Sequence, residues 1–143
     1  MKLKKLQELE ELNYIELFPG RLYKGYHNEE SIYIDDDSYS FIVAAIKRGF
    51  EQYRSFDFFE IEKSQWKTII QELLILKEII LTQNTQELAE YISIFFIDLS
   101  TCKWKLQEYM MINKLELISL IDELTKWIEG QLEVNEIITL IGI

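Results

Sequence analysis

Histidine, cysteine, proline and glycine are nearly missing from this chain. The single histidine, His27, rules out a His-cluster metal site and leaves little room for a Ser-His or Cys-His nucleophile pair. It sits in a polar run, His27 to Ser31, and reads as a solvated loop residue. Cys102 is the only cysteine, so no intrachain disulfide can form. Ile97, Leu99 and Trp104 surround it in sequence and point to a core thiol. Lys103 and Lys105 flank it, but Lys103, one residue away on a helix, faces elsewhere. One proline and five glycines argue against a turn-rich β-sandwich. Gly20, Gly25 and Gly49 are isolated, so no glycine loop cradles phosphate. Basic residues are outnumbered, 15 against 25 acidic, for a net charge of −10. The deficit is even: five in residues 1–62 and five in residues 63–143. Such a surface repels nucleic acid and anionic lipid and speeds encounter with a basic partner. No basic stripe with interleaved aromatics is present. No apolar run reaches the ~18 residues of a membrane span. The basic start Met1 to Lys5 is followed by Gln7 to Glu11, which breaks any signal-like apolar segment. These absences place the expected protein in the cytoplasm, with no membrane partner and no cofactor.

What is present suits a folded α+β domain. The expectation is one domain over residues 1–143, large enough to bury roughly 70% of its unfolded surface. Hydrophobic residues make up 48%, including eight tyrosines, eight phenylalanines and three tryptophans, so a packed core needs no staple. The strongest pattern runs from Arg54 to Thr82. Phe56, Phe58, Phe59 and Ile61 form an aromatic strand, expected over 55–60. Ser64 then offers an N-cap, and Trp66, Ile69, Ile70, Leu73, Leu74, Leu76, Ile80 and Leu81 give the apolar face of a helix over 65–81.

Around it, Leu3, Leu6, Leu9 and Leu12 are three apart and suit either a short helix or a charged lead-in. Tyr14 to Phe18 is rich in strand formers. Pro19-Gly20 signals a turn, which suggests a hairpin with Arg21 to Tyr26. Ser31 to Ile34 is a further short strand. Phe41, Ile42, Ala45, Ile46 and Phe50 predict a helix over 39–51, with Lys47 and Arg48 suited to its C-terminal dipole. Asn84 or Thr85 can cap a helical stretch over 86–110, broken near Ser100-Thr101, although Tyr91 to Ile97 has strand composition. Asn113 with Glu116 opens a helix over 114–131, ended by Gly130 or continued by Leu132. The apolar Ile137 to Gly142 fits a last strand over 136–142. The expected fold is α+β: a small, mainly antiparallel sheet with about four helices packed on one side.

Asp35-Asp36-Asp37, with Glu29 and Glu30, puts five acids within nine residues. Asp35 and Asp37 can supply oxygen ligands, but no EF-hand spacing or glycine follows. The cluster also suits a helix entrance or a surface that meets lysine and arginine. Glu60 and Glu62 form a carboxylate pair of the kind glycosidases use, a pattern of little specificity in so acidic a chain. Glu29, Glu30, Asp35, Asp36 and Asp37, with Tyr33 and Tyr39 as aromatic anchors, are the candidate partner-binding residues. No catalytic or metal-ligating set is assigned.

Phe58-Phe59-Glu60-Ile61, Ser64-Gln65-Trp66, the leucine-rich helix that follows, Trp127 on a later helix and the terminal Leu140-Ile141-Gly142-Ile143 together carry a resemblance. They are similar to small bacterial immunity proteins of polymorphic or contact-dependent growth-inhibition toxin systems. The resemblance covers residues 54–143 and rests on core positions, so it transfers no binding residue. It implies a non-enzymatic cytosolic protein that binds and neutralises a cognate toxin, commonly a basic nuclease. The alternative is a structural or regulatory module that self-associates through an apolar face on helix 114–131.

Overall fold

A computed structural model of the chain describes residues 1–10, 13–22 and 25–142. Its order is β1 (Tyr14–Pro19), β2 (Ile32–Asp35), α1 (Asp36–Tyr39), α2 (Val43–Gly49), β3 (Phe58–Glu62), α3 (Lys63–Thr82), α4 (Thr85–Ile92), α5 (Leu99–Met111), α6 (Lys114–Leu132) and β4 (Ile137–Ile141). The fold is α+β. The four strands pair antiparallel in the order β2-β1-β4-β3. Six helices are described, five of them seven residues or longer, rather than about four.

Alternation along each strand sorts the sheet into two faces. Ile15 and Leu17, Ile32 and Ile34, Phe59 and Ile61, and Ile138 and Leu140 lie in register and join the helices in one core that includes Trp66, Leu73, Leu120 and Ile128. Trp66 pins α3 to the sheet by donating its indole N–H to the Ile138 carbonyl at 3.0 Å. The other face carries Tyr33, Glu16, Phe18, Thr139 and Ile141, all buried.

The apolar periodicity of α3 and α6 is realised. Asn84 and Asn113 cap α4 and α6 through their side-chain oxygens. Other expectations shift. The helix over 39–51 starts earlier and divides at residues 40–42 into α1 and α2, because Asp35 caps the chain three residues before Ser38. The strand over 55–60 moves to 58–62, and α3 begins at Lys63 with Glu62 as N-cap, so Ser64 is already helical. The break in 86–110 falls at 93–98, where Asp98 caps α5, not at Ser100-Thr101. Tyr91 and Ile92 end a helix and form no strand.

Among the described residues, no hairpin pairing is made across Pro19-Gly20. Both edges of β1 are taken, by β2 and by β4, so residues 21, 22, 25 and 26 have no edge to pair with; Tyr23 and Lys24 of the expected strand lie outside the described residues. Near the start, Leu6–Glu8 forms one 3₁₀ turn, and Lys4 exchanges both backbone hydrogen bonds with Tyr33 at 2.9 Å. Leu12 and Ile143 lie outside the described residues.

Candidate partner-binding site

The acidic run plays two different parts. Asp35 turns inward as the cap of α1, accepting from the Ser38 backbone N–H at 2.8 Å and the Ser38 hydroxyl at 2.7 Å. Asp36 and Asp37 follow in the first turn and are exposed. Glu29 and Glu30 occupy an exposed turn ahead of β2. Among the described residues, none of Glu29, Glu30, Asp36 and Asp37 forms a salt bridge. No group of three or more His, Cys, Asp or Glu among the described residues could hold a metal ion.

The two aromatic anchors are not on this surface. Tyr33 is fully buried on the outer sheet face because its hydroxyl is committed to the Asn28 carbonyl at 2.8 Å and to Glu16 at 3.2 Å. Tyr39 is buried at the α1–α2 junction. Neither ring presents a contact surface to a partner.

Glu16 organises the loop that carries Glu29 and Glu30. One buried carboxylate accepts from the backbone N–H of His27 at 2.9 Å, the backbone N–H and side-chain amide of Asn28 at 3.0 Å each, and the Ser31 hydroxyl at 2.7 Å, besides Tyr33. Burial pushes its pKa up, but donors from Ser31, His27 and Asn28 outweigh it and hold the group below the usual 4.5. His27 takes a left-handed φ of 66° that turns its N–H toward Glu16, and its ring stacks on Tyr33. The sequence signal for this hub is an acid inside the strand Tyr14-Ile15-Glu16-Leu17-Phe18, where an unpaired carboxylate is not tolerated.

Asp36 and Tyr39 come together elsewhere. They line a cavity of about 130 Å³ with Ile15, Ser40, Val43, Tyr53, Ser55, Phe56, Phe95 and Phe96. Tyr53 packs against both Tyr39 and Phe95, with ring centroids 6.4 and 6.3 Å apart, and Phe95 meets Phe96 edge-on at 5.0 Å. Phe56 is 83% exposed and holds a left-handed φ of 65°, a conformation costing a bulky residue roughly 1–3 kcal/mol. Gly142 braces it: its N–H donates to the Asp57 carbonyl at 2.9 Å, and a Cβ there would lie 3.1 Å from the Phe56 nitrogen.

Among the described residues, the Tyr39 hydroxyl is buried without a hydrogen bond of good geometry, and the Tyr53 phenol is the hydroxyl that interacts with it. Burial, then the Tyr53 phenol and the Asp36 carboxylate, push the Tyr39 pKa well above 10. Burial likewise raises that of Tyr53, so both phenols are neutral at physiological pH. Behind the cavity, Lys105 is buried, hydrogen-bonded to the Ser40 hydroxyl, with its ammonium 3.7 Å from the Phe41 ring centroid. Burial holds its pKa below 10.5 against the opposing pull of Glu108, Asp37 and Asp36. Cys102 is partly buried against the core.

Compared with known proteins, the chain matches no family model, no curated protein and no solved structure. The likeness to immunity proteins therefore stands on the motif residues of 54–143 alone. Those residues hold the core: Trp66 and Ile61 are buried, and Gly142 supports Phe56.

Proposed function

We propose that this chain is a non-enzymatic immunity protein of the cytoplasm that binds and blocks a cognate basic toxin domain of the nuclease kind. The observation that carries the reading is the set of exposed, unpaired carboxylates at Glu29, Glu30, Asp36 and Asp37, two of them on a loop fixed by a buried carboxylate. Exposed charge held in place attracts an opposite surface and sets its orientation. A scaffold that only blocks needs no nucleophile, no metal and no cofactor.

The test is capture and rescue. The neighbouring gene's basic toxin domain should co-purify with this chain, and co-expression should restore growth. The triple variant Glu29→Lys, Glu30→Lys, Asp37→Lys should lose capture while keeping its melting temperature. Equal capture by that variant removes the reading.

A second reading, self-association, gains support from α5 rather than from helix 114–131. The apolar face of α6 is spent on the core through Leu117, Leu120, Ile121, Leu124 and Ile128. Trp104 and Met111, seven residues apart on α5, are instead 67% and 85% exposed, and Ile97, in the turn before α5, is 83% exposed.

A further inference from the structure

Along α5, Ser100, Trp104, Gln107 and Met111 are all exposed. Their steps of four, three and four residues are the a and d spacing of a two-stranded coiled coil. At 3.6 residues per turn, this line lies opposite Lys105 and Tyr109, the residues that α5 buries against the body of the protein. The seam therefore points straight outward. Half of the large apolar side chains exposed among the described residues fall within residues 94–115. Charge sets the face apart as well. The whole chain carries −10, a load that drives two copies apart. On α5 the charged residues are Lys103, Lys105 and Glu108, two positive and one negative, and no carboxylate lies on the seam itself. A basic partner is drawn elsewhere, to the acids of α1 and of the turn before β2. A second copy is repelled least where carboxylates are sparse, and the outward side of α5 meets that condition.

We propose that α5 pairs with α5 of a second copy, the two helices parallel and related by a two-fold axis along the seam. The proposal rests on the self-association reading and gives that reading its geometry. Orientation follows from the flanks of the seam. Lys103 takes the g position, and Glu108, five residues on, takes the e position of the next heptad. In a parallel pair, g of one helix meets that e of the other. Two-fold symmetry then makes two Lys103–Glu108 bridges between the copies. An antiparallel pair sets g beside g and e beside e, so Lys103 meets Met110 or another lysine and no bridge forms. Both groups are available. Among the described residues Lys103 forms no salt bridge. Glu108 engages Lys105 through one oxygen at 3.6 Å and keeps the other. Trp104 meets its twin across the axis as the large aromatic anchor. Two heptads with Ser100 and Gln107 at d bury little, so the dimer belongs among the weak, concentration-dependent ones.

Sedimentation velocity of the full chain, from micromolar to millimolar, reads the dimer, and symmetric disulfides read its orientation. Ser100→Cys and Gln107→Cys are made separately in a Cys102→Ser background. Each should crosslink two copies under mild oxidation, because in a parallel pair every d residue faces its twin. In an antiparallel pair only one of the two positions can meet its twin, since they lie about 10 Å apart along the helix. Lys103→Glu sets glutamate against Glu108 at both bridges and should weaken the dimer about tenfold, with the melting temperature of the dilute chain unchanged. A chain that dimerises but crosslinks at one position or neither overturns the parallel pairing and leaves self-association standing. A dimer indifferent to Lys103→Glu overturns the pairing in the same way. A strict monomer at millimolar concentration overturns the proposal and self-association together. Loss of toxin capture by Trp104→Glu in that monomer would then give the face to the toxin.

Discussion

Glu16 shows how one residue can fix a loop. Its carboxylate gathers donors from His27, Asn28, Ser31 and Tyr33. Glu16→Gln keeps the shape but turns an amide N–H toward those donors. The expected cost is about 2–3 kcal/mol at neutral pH, read by urea denaturation. The pH dependence has a definite sign. The folded pKa lies below the unfolded value near 4.5, so the stabilisation is present above 4.5 and is lost as pH falls through the folded pKa. The wild type should lose this part of its stability below pH 4.5, and Glu16→Gln should flatten that slope. Two glycines test packing in opposite directions. A Cβ on Gly49 would sit 2.6 Å from the Ile69 backbone, whereas one on Gly130 meets nothing within 4 Å. Gly49→Ala should therefore cost about 3 kcal/mol by forcing α2 from α3, and Gly130→Ala should stabilise by about 0.5–1 kcal/mol. Paired thermal melts decide both.

At the level of elements, the long helices were the legible ones. α3 and α6 carry apolar faces over nineteen or twenty residues, enough for the period to stand out. α4 and α5 were harder. Tyr91 to Ile97 mixes the end of a helix with an aromatic turn whose rings, Phe95 and Phe96, fold onto Tyr53 and each other, and no local pattern announces that. α5 buries only Lys105 and Tyr109 fully, so its periodicity is weak and its apolar stripe faces outward. That stripe gives the prediction for self-association. If α5 is an interface, light scattering should show a dimer that Trp104→Glu converts to monomer with the melting temperature unchanged. A wild type that is monomeric across the concentration range leaves the stripe without a second copy.

For the molecule as a whole, charge is the property most open to measurement. A net charge of −10 attracts a basic domain over roughly a Debye length, about 8–10 Å near physiological salt. The association rate with a basic toxin domain should fall steeply with ionic strength while the dissociation rate changes little, measured by stopped-flow fluorescence from the tryptophans. A rate indifferent to salt argues that the acids do not steer. The sheet is the other whole-molecule feature. Its last strand, β4, lies between β1 and β3 and supplies Ile138 and Leu140 to the core.

By itself the sequence determined the α+β class, the strands near 14–18, 31–34 and 136–142, the two long helices, and the acidity, because each is written in local periodicity or composition. The tertiary structure alone decided that β4 is central, which closes both edges of β1 and leaves no edge for a hairpin. It also sent Tyr33 and Tyr39 into the interior and drew Asp36, Tyr53 and Phe96 around one cavity. Those outcomes depend on contacts between residues tens of positions apart, where burial and hydrogen-bond satisfaction outweigh local preference.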